Sequence, residues 1–285
     1  MGFHLIKGTF HVKGYSPDGD SIRFRAINEA HWGLLGLRHL CINSQKDVQV
    51  RLGEIDTVET HFCAPGGEIH QPRSLAHAAT NFLLGYLKIT DVVWDREGRN
   101  ILQAKDGTPG YILAKNKDKN GRPLCFVFSG TSPEQDGSNI FLDAKRLKHS
   151  LNYQTLELGN AYPTYYKGLF PELRKTLTEA ATKARTKSTG LYKLDKTNSG
   201  ILLDKLAVMI DEQPILPKLF RRLAEFIAGE DVPNLDGFLE WLAIRDRKPV
   251  MIVSTQKITY FDRLVEVKGQ TIRLLELPEN LIFTP

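Results

Sequence analysis

Carboxylate and guanidinium groups concentrate in three short segments of the sequence: 18–21, 51–60 and 118–123. Carboxylate and carbonyl oxygens are the ligands that a hard cation such as Ca²⁺ prefers, and a further carboxylate can deprotonate a water. Guanidinium groups bind phosphate through paired hydrogen bonds and stabilise the negative charge that grows during phosphate hydrolysis. The three segments therefore contain the groups needed for metal-assisted hydrolysis of phosphodiester bonds.

Each segment also has an ordinary structural interpretation. Asp18-Gly19 is typical of a turn, and Arg51 on a strand can form a solvated ion pair. The run from Asp118 to Gly121 is a good hairpin turn. The order of the three segments along the chain, rather than any one of them, therefore indicates function.

That order resembles the staphylococcal (micrococcal) nuclease family, and the resemblance covers about residues 5–192. Family members carry an Asp-Gly-Asp-Thr turn, then Arg-Leu-x-x-x-Asp-Thr-Pro-Glu-Thr, then Gly-Arg before the fifth strand. Here the corresponding segments are Asp18–Ser21, Arg51–Thr60 and Gly121-Arg122. The second motif is the most specific of the three.

The resemblance implies a metal site and a base. Asp20, Asp56 and the Thr57 carbonyl would be the Ca²⁺ ligands, and Glu59 would be the general base or would position the attacking water. All the side chains that carry the activity in the family are present, which argues against a copy that only binds.

The resemblance also implies how the substrate is bound. Arg51 and Arg122 would bind the scissile phosphate, and Lys119 would contribute to substrate binding. The family cleaves DNA and RNA by in-line attack of water and leaves 3′-phosphate ends. We therefore expect a Ca²⁺-dependent nuclease that acts on DNA or RNA, single-stranded or flexible.

Two departures from the family pattern affect the loop that carries Glu59 and the contacts to bases. Val58 stands where the family has proline, and Asn120 stands where it has a base-stacking tyrosine. A second base-contacting tyrosine falls on Tyr165, with Tyr162 and Tyr166 as alternatives.

Other residues near the motifs allow further interpretations. The spacing of His61, Cys63, His70 and His77 fits no standard zinc site, and we favour a substrate contact by His61 or His70. The basic run 145–149 is either a phosphate-binding patch or the solvated face of a helix.

Hydrophobic periodicity predicts the elements that must position these residues. Alternating or β-branched runs predict strands over 9–14, 21–26, 46–52, 89–94 and 124–128. Apolar residues at three- and four-residue spacing predict helices over 74–87, 144–158 and 171–187. This order predicts an α+β protein with a five-stranded Greek-key barrel of the oligonucleotide-binding (OB) type and three helices.

The length of 285 residues favours two domains. We interpret the polar run 193–200 as a linker, which predicts a nuclease-like domain over 1–195 and a smaller α+β domain of unknown role over 196–285. In the second domain, helices are predicted over 202–210, 216–228 and 234–243, and a four-strand meander over 250–254, 257–261, 264–267 and 271–275.

The net charge of +5 divides unevenly between the predicted domains. The first carries a surplus of 6 positive charges and the second a deficit of 1. The basic surplus favours a polyanionic partner for the first domain. The second domain is predicted to make a homo-oligomer or to bind a protein partner. The alternative function is a non-catalytic nucleic-acid-binding OB-fold module that acts in a complex through this domain.

Composition excludes several classes of protein. A hydrophobic content of 41% with 25% charged residues excludes disordered and fibrous chains. No apolar stretch is long enough for a membrane span, and we recognise no signal peptide. Three cysteines are too few for a disulfide framework, so we expect a cytoplasmic protein with no membrane partner.

Overall fold

The computed structural model describes residues 2–36, 40–118, 120–228 and 230–284. It is α+β and forms two compact units. The first contains the chain up to Gly53 together with Ala79–Thr155, and the second contains Glu54–Ala78 together with the chain from Leu156 onward. Within these described ranges, no helix is long and apolar enough to cross a membrane.

The strands of the described chain are β1 (Phe3–His11), β2 (Ser21–Ala26), β3 (Val48–Leu52), β4 (Ile55–Asp56), β5 (Phe62–Ala64), β6 (Gly67–Ile69), β7 (Thr90–Trp94), β8 (Ile101–Lys105), β9 (Thr108–Lys117), β10 (Pro123–Ser129), β11 (Asn139–Ile140), β12 (Tyr162–Pro163), β13 (Tyr165–Tyr166), β14 (Ile201–Leu202), β15 (Pro249–Ile252), β16 (Ile258–Tyr260), β17 (Val265–Lys268), β18 (Thr271–Leu274) and β19 (Leu281–Phe283). The α-helices are α1 (Arg73–Tyr86), α2 (Ala144–Leu147), α3 (Leu151–Glu157), α4 (Pro171–Thr186), α5 (Pro217–Ile227) and α6 (Phe238–Arg245).

A closed five-stranded barrel is the centre of the first unit. β2 pairs antiparallel with β1 and β3, and β10 pairs parallel with β3 and antiparallel with β9. β9 then pairs antiparallel with β1, which closes the ring. Closure satisfies the backbone hydrogen-bonding groups that an open sheet would leave along its edges.

One of the five strands predicted for the barrel lies outside it. The predicted strand over 89–94 exists as β7, but it pairs with β8 in a separate hairpin. Its place in the barrel is taken by β9, which the sequence did not reveal. Residues 110–114 of β9 are all buried, so they lack the alternation of a half-buried strand.

The predicted helices over 74–87 and 171–187 are confirmed as α1 and α4. The predicted helix over 144–158 is divided into α2 and α3. Ser150 accounts for the break: its hydroxyl donates to the Leu147 carbonyl and accepts a hydrogen bond from the backbone N–H of Tyr153. A serine in this position begins a new helix.

In the second unit β4 pairs with β12 and β5 pairs with β6, and the remaining strands form two larger sheets, with strand orders β13-β19-β15-β16 and β14-β18-β17. The four predicted C-terminal strands are present as β15 to β18, but they are divided between these sheets rather than joined in one meander. The predicted helices over 216–228 and 234–243 are present as α5 and α6. The prediction over 202–210 is confirmed only in its second half: residues 206–212 are helical and include the π-helix Val208–Glu212, whereas 201–202 form β14.

The compact units do not follow the predicted domain boundary at residue 195. Val58, Tyr162 and Leu191 share one buried core with residues beyond 200. The polar run taken as a linker is part of this unit as well. Thr197 is buried, and its hydroxyl donates to Asp195 and accepts a hydrogen bond from the backbone N–H of Leu216.

A buried amide fixes two strands of the barrel. Asn152 is fully buried, and its Nδ2 donates to the carbonyls of Gly53 (2.9 Å) and Cys125 (3.0 Å). Its Oδ1 accepts a hydrogen bond from the backbone N–H of Val127 at 3.0 Å. One side chain thus satisfies backbone groups at the end of β3 and in β10.

We expect Asn152→Ala to lower the free energy of unfolding by about 2–4 kcal/mol, because it leaves buried backbone groups without partners. Urea denaturation followed by circular dichroism measures this. The control is Asn81→Ala on the exposed side of α1, which should change stability by less than about 0.5 kcal/mol. Equal effects of the two substitutions would contradict the assignment.

Candidate functional site

Strand register places Asp20, Arg51 and Arg122 at one end of the barrel. In the β2–β3 pair, Ser21 lies opposite Arg51, so Asp20 directly precedes the paired residue. In the β3–β10 pair, Arg51 lies opposite Leu124, two residues after Arg122. β3 is the middle strand of the three, so Arg51 lies between the other two positions.

The guanidinium groups of Arg51 and Arg122 are both ion-paired. Arg51 donates from Nη2 to Asp20 Oδ2 at 3.0 Å. Arg122 donates from Nε to Asp118 Oδ2 at 2.7 Å, and its backbone N–H donates to Asp118 Oδ1 at 2.9 Å. Asp118 therefore shapes the turn that presents Arg122. Lys119 lies outside the described residues, and its role in substrate binding stays a prediction.

The other predicted site residues, Asp56, Thr57 and Glu59, lie in the second unit. Asp56 is in β4 opposite Tyr162 of β12. Asp56 and Thr57 are buried, and Val58 packs in the hydrophobic core of this unit. Packing of Val58 thus holds the segment at the position where the nuclease motif has a proline.

Gln71 fixes the backbone of Glu59. The Glu59 N–H donates to Gln71 Oε1 at 3.2 Å, and the Gln71 N–H donates to the Glu59 carbonyl at 2.9 Å. Gln71 Nε2 donates to the carbonyl of Ile215 at 2.7 Å, and Gln71 is fully buried. One side chain therefore joins the segment that carries Glu59 to the residues that precede α5. Nothing in the sequence motifs singles out Gln71.

Arg221 of α5 binds both carboxylates of this segment. Its Nη2 donates to Asp56 Oδ2 at 2.8 Å and its Nη1 to Asp56 Oδ1 at 3.3 Å, while Nη1 also donates to a carboxylate oxygen of Glu59. Burial opposes the charge of Arg221, but Asp56 and Glu59 together raise its pKa well above the usual value. Arg221 lies 162 residues beyond Glu59 in the sequence, so no local pattern pointed to it.

The proposed Ca²⁺ ligands do not fit the ion while Arg221 is in this position. Its guanidinium binds both oxygens of Asp56, and a divalent cation on the same oxygens would meet a fixed positive charge at short range. Asp20, the other carboxylate of the predicted set, binds Arg51.

His70, one of the histidines considered as a zinc ligand, forms other contacts. His70 Nδ1 lies 2.9 Å from the Gln71 carbonyl, and its Nε2 accepts a hydrogen bond from Arg73 Nε at 3.0 Å. Among the residues that the structure describes, no group of three or more His, Cys, Asp or Glu side chains is arranged to hold a metal ion.

Tyr165 lies in the core of the second unit. It is fully buried in β13, and its hydroxyl is 3.0 Å from the hydroxyl of Thr178. The alternative Tyr162 is equally buried and donates to Asp195 at 2.8 Å. Both rings are buried, which argues against the base contact that the resemblance implies for Tyr165.

No protein-family model matches this chain, and no curated protein matches it. The resemblance to the nuclease family therefore depends on the three motifs themselves.

Burial also affects the pKa of Glu54 in the same segment. Burial raises its pKa to about 8, although the Tyr166 N–H, which donates to Oε2 at 3.0 Å, and the charge of Arg174 oppose this. A carboxyl group whose pKa is higher in the folded state binds more protons when folded. Its contribution therefore lowers the free energy of unfolding as the pH rises from about 5 to 9.

As the pH rises from about 5 to 9, we expect the free energy of unfolding of Glu54→Gln to fall by roughly 1–3 kcal/mol less than that of the wild type. The neutral amide does not titrate, and it can still accept the Tyr166 hydrogen bond. Urea denaturation at pH 5, 7 and 9 tests this. Glu240→Gln, on an exposed position of α6, is the control and should follow the wild-type profile. Parallel pH profiles for wild type and Glu54→Gln would refute the prediction.

Proposed function

We propose that this chain hydrolyses phosphodiester bonds of DNA or RNA by in-line attack of water and leaves 3′-phosphate ends. The observation that carries the proposal is the register of β2, β3 and β10, which places Asp20, Arg51 and Arg122 at one end of a closed barrel. The barrel is proposed to be a Greek-key OB fold, and its preferred substrate a single-stranded or flexible nucleic acid.

Arg51 and Arg122 would bind the scissile phosphate. A guanidinium has five N–H donors in a planar fork, so it can bind phosphate oxygens while it keeps a carboxylate partner. The partners Asp20 and Asp118 hold the two side chains in defined positions before substrate arrives. Their fixed positive charge would stabilise the charge that develops on the phosphate oxygens.

Glu59 would orient or deprotonate the attacking water. Its backbone is held on both sides by Gln71, which limits the movement of the side chain's attachment point. Ca²⁺ remains the proposed cofactor, and when bound it would polarise the phosphate and a water. In this structure Arg221 binds both Asp56 and Glu59, so Ca²⁺ would have to displace it from Asp56.

The contacts of Arg221 also favour a second candidate function, a nucleic-acid-binding module without turnover. In this arrangement one carboxylate oxygen of Glu59 is bound to Arg221 rather than to a water. Such a module would bind nucleic acid in a salt-sensitive manner, and binding would survive removal of both Asp20 and Glu59. A role of the second unit in oligomerisation or partner binding stays a prediction.

The direct test is cleavage of labelled single-stranded DNA and RNA in the presence of Ca²⁺, with identification of the new 3′ ends. We expect Glu59→Gln to lower kcat by about 10²–10⁴-fold, since it removes the group that accepts a proton from water. Glu68→Gln, an exposed position of the same segment, should retain the wild-type rate.

Two results would refute the mechanism: a wild-type rate in Glu59→Gln, or products that carry 5′-phosphate ends. Salt-sensitive binding without any turnover by the wild-type chain would instead support the binding module.

A further inference from the structure

We infer that Arg221 is an internal inhibitory cation, which competes with Ca²⁺ for Asp56, binds the proposed base Glu59 and so restrains the activity of the site. The inference rests on the proposed function, because it concerns the regulation of the same carboxylates.

The geometry of the contact is that of a bound cation. Arg221 places two nitrogens on the two oxygens of Asp56, and one of them also reaches Glu59. The Asp56 side chain is 2% exposed and that of Glu59 is 18% exposed. A cation that binds two carboxylates at so little exposure occupies oxygens that a metal ion would otherwise use.

The core of the second unit fixes the helix that presents Arg221. Leu219, Phe220 and Leu223 of α5 are fully buried, and the ring of Phe220 packs edge-on against Phe62 at 6.5 Å between centroids. The Gln71 amide adds a hydrogen bond to Ile215, just before the helix. The packing therefore places the guanidinium beside the carboxylates with its helix already ordered, so little entropy is lost in making the contact.

The neighbouring arginine makes different contacts. Arg222 binds Asp246 and Glu225 through its guanidinium, at 3.2–3.3 Å. Its side chain is 19% exposed, close to the 23% of Arg221. The two arginines thus have similar burial and two carboxylate partners each, but only Arg221 binds the residues of the nuclease motif. This makes Arg222 a matched control.

The exchange of one cation for the other needs no chemical step. Ca²⁺ would bind the Asp56 carboxylate once the Arg221 guanidinium had moved away from it, so that Asp56 would have a cationic partner before and after the exchange. Without Ca²⁺, Arg221 would keep its contact with one oxygen of Glu59, which would restrain that carboxylate from acting on water.

Isothermal titration calorimetry of the full-length chain with CaCl₂ tests the inference without any nuclease assay. We expect Arg221→Gln to bind Ca²⁺ about tenfold more tightly than wild type or better, because a fixed positive charge has left the ligands. Arg222→Gln should bind Ca²⁺ like the wild type. Equal dissociation constants for Arg221→Gln and wild type, or no Ca²⁺ binding by either, would overturn the inference.

Thermal unfolding with and without CaCl₂ shows whether each variant is folded. If Arg221→Gln does not fold, the Ca²⁺ affinity of Arg221→Lys tests the inference instead. It keeps the charge but loses the planar fork that contacts both acids, so Ca²⁺ affinity should rise above the wild-type value. An unchanged affinity in a folded Arg221→Lys would then overturn the inference.

The inference and the proposed function fail separately. Tighter Ca²⁺ binding by Arg221→Gln, with no cleavage by any variant, would support the competition between Arg221 and Ca²⁺ and refute the nuclease. Cleavage by the wild-type chain, with unchanged Ca²⁺ affinity in Arg221→Gln, would refute the inference alone.

Discussion

The fully buried side chain of Gln71 joins the backbone of Glu59 to that of Ile215, and the position of the segment 54–78 depends on this connection. Val58 and Ala76 of the same segment belong to the core formed by the C-terminal part of the chain. The cost of leaving a buried amide without partners makes this arrangement strongly preferred over a detached loop. Residues beyond 200 therefore have a structural role in positioning Asp56 and Glu59.

The electrostatics of the second unit follow from this packing. Because α5 lies in the same core as the segment 54–78, its Arg221 reaches Asp56 and Glu59. Two partly or fully buried carboxylates close in sequence repel each other in a medium of low dielectric constant, and the guanidinium offsets that repulsion. The same contact stabilises the segment 54–78, and a metal ion could bind Asp56 only if Arg221 moved away from it.

The sequence predicted those features that have a local cause. Alternation identified β2 and β3, and the motif order identified Asp20, Arg51 and Arg122, which the strand register then placed at one end of the barrel. It missed β9, because a strand buried on both faces shows no alternation.

The contacts of Gln71 and Arg221 had no local signal, since their partners lie 144 and 162 residues away in the sequence. The polar composition of residues 193–200 was misleading for a related reason. The hydroxyl and amide groups of such a run can be satisfied inside a core, as those of Thr197 are.

Hydrogen exchange of the full-length chain, measured with and without Leu219→Ala, tests most directly whether the segment 54–78 is part of the second unit. Leu219 is fully buried in α5, so its truncation should lower the opening free energy of that helix by about 2–4 kcal/mol. We predict that the opening free energies of amides in 54–78, including those of Glu59 and Gln71, decrease by the same amount. The opening free energies of amides in β3 and β10 should change less. If amides in 54–78 kept their protection while those in α5 lost it, this would contradict the assignment of the segment 54–78 to the second unit.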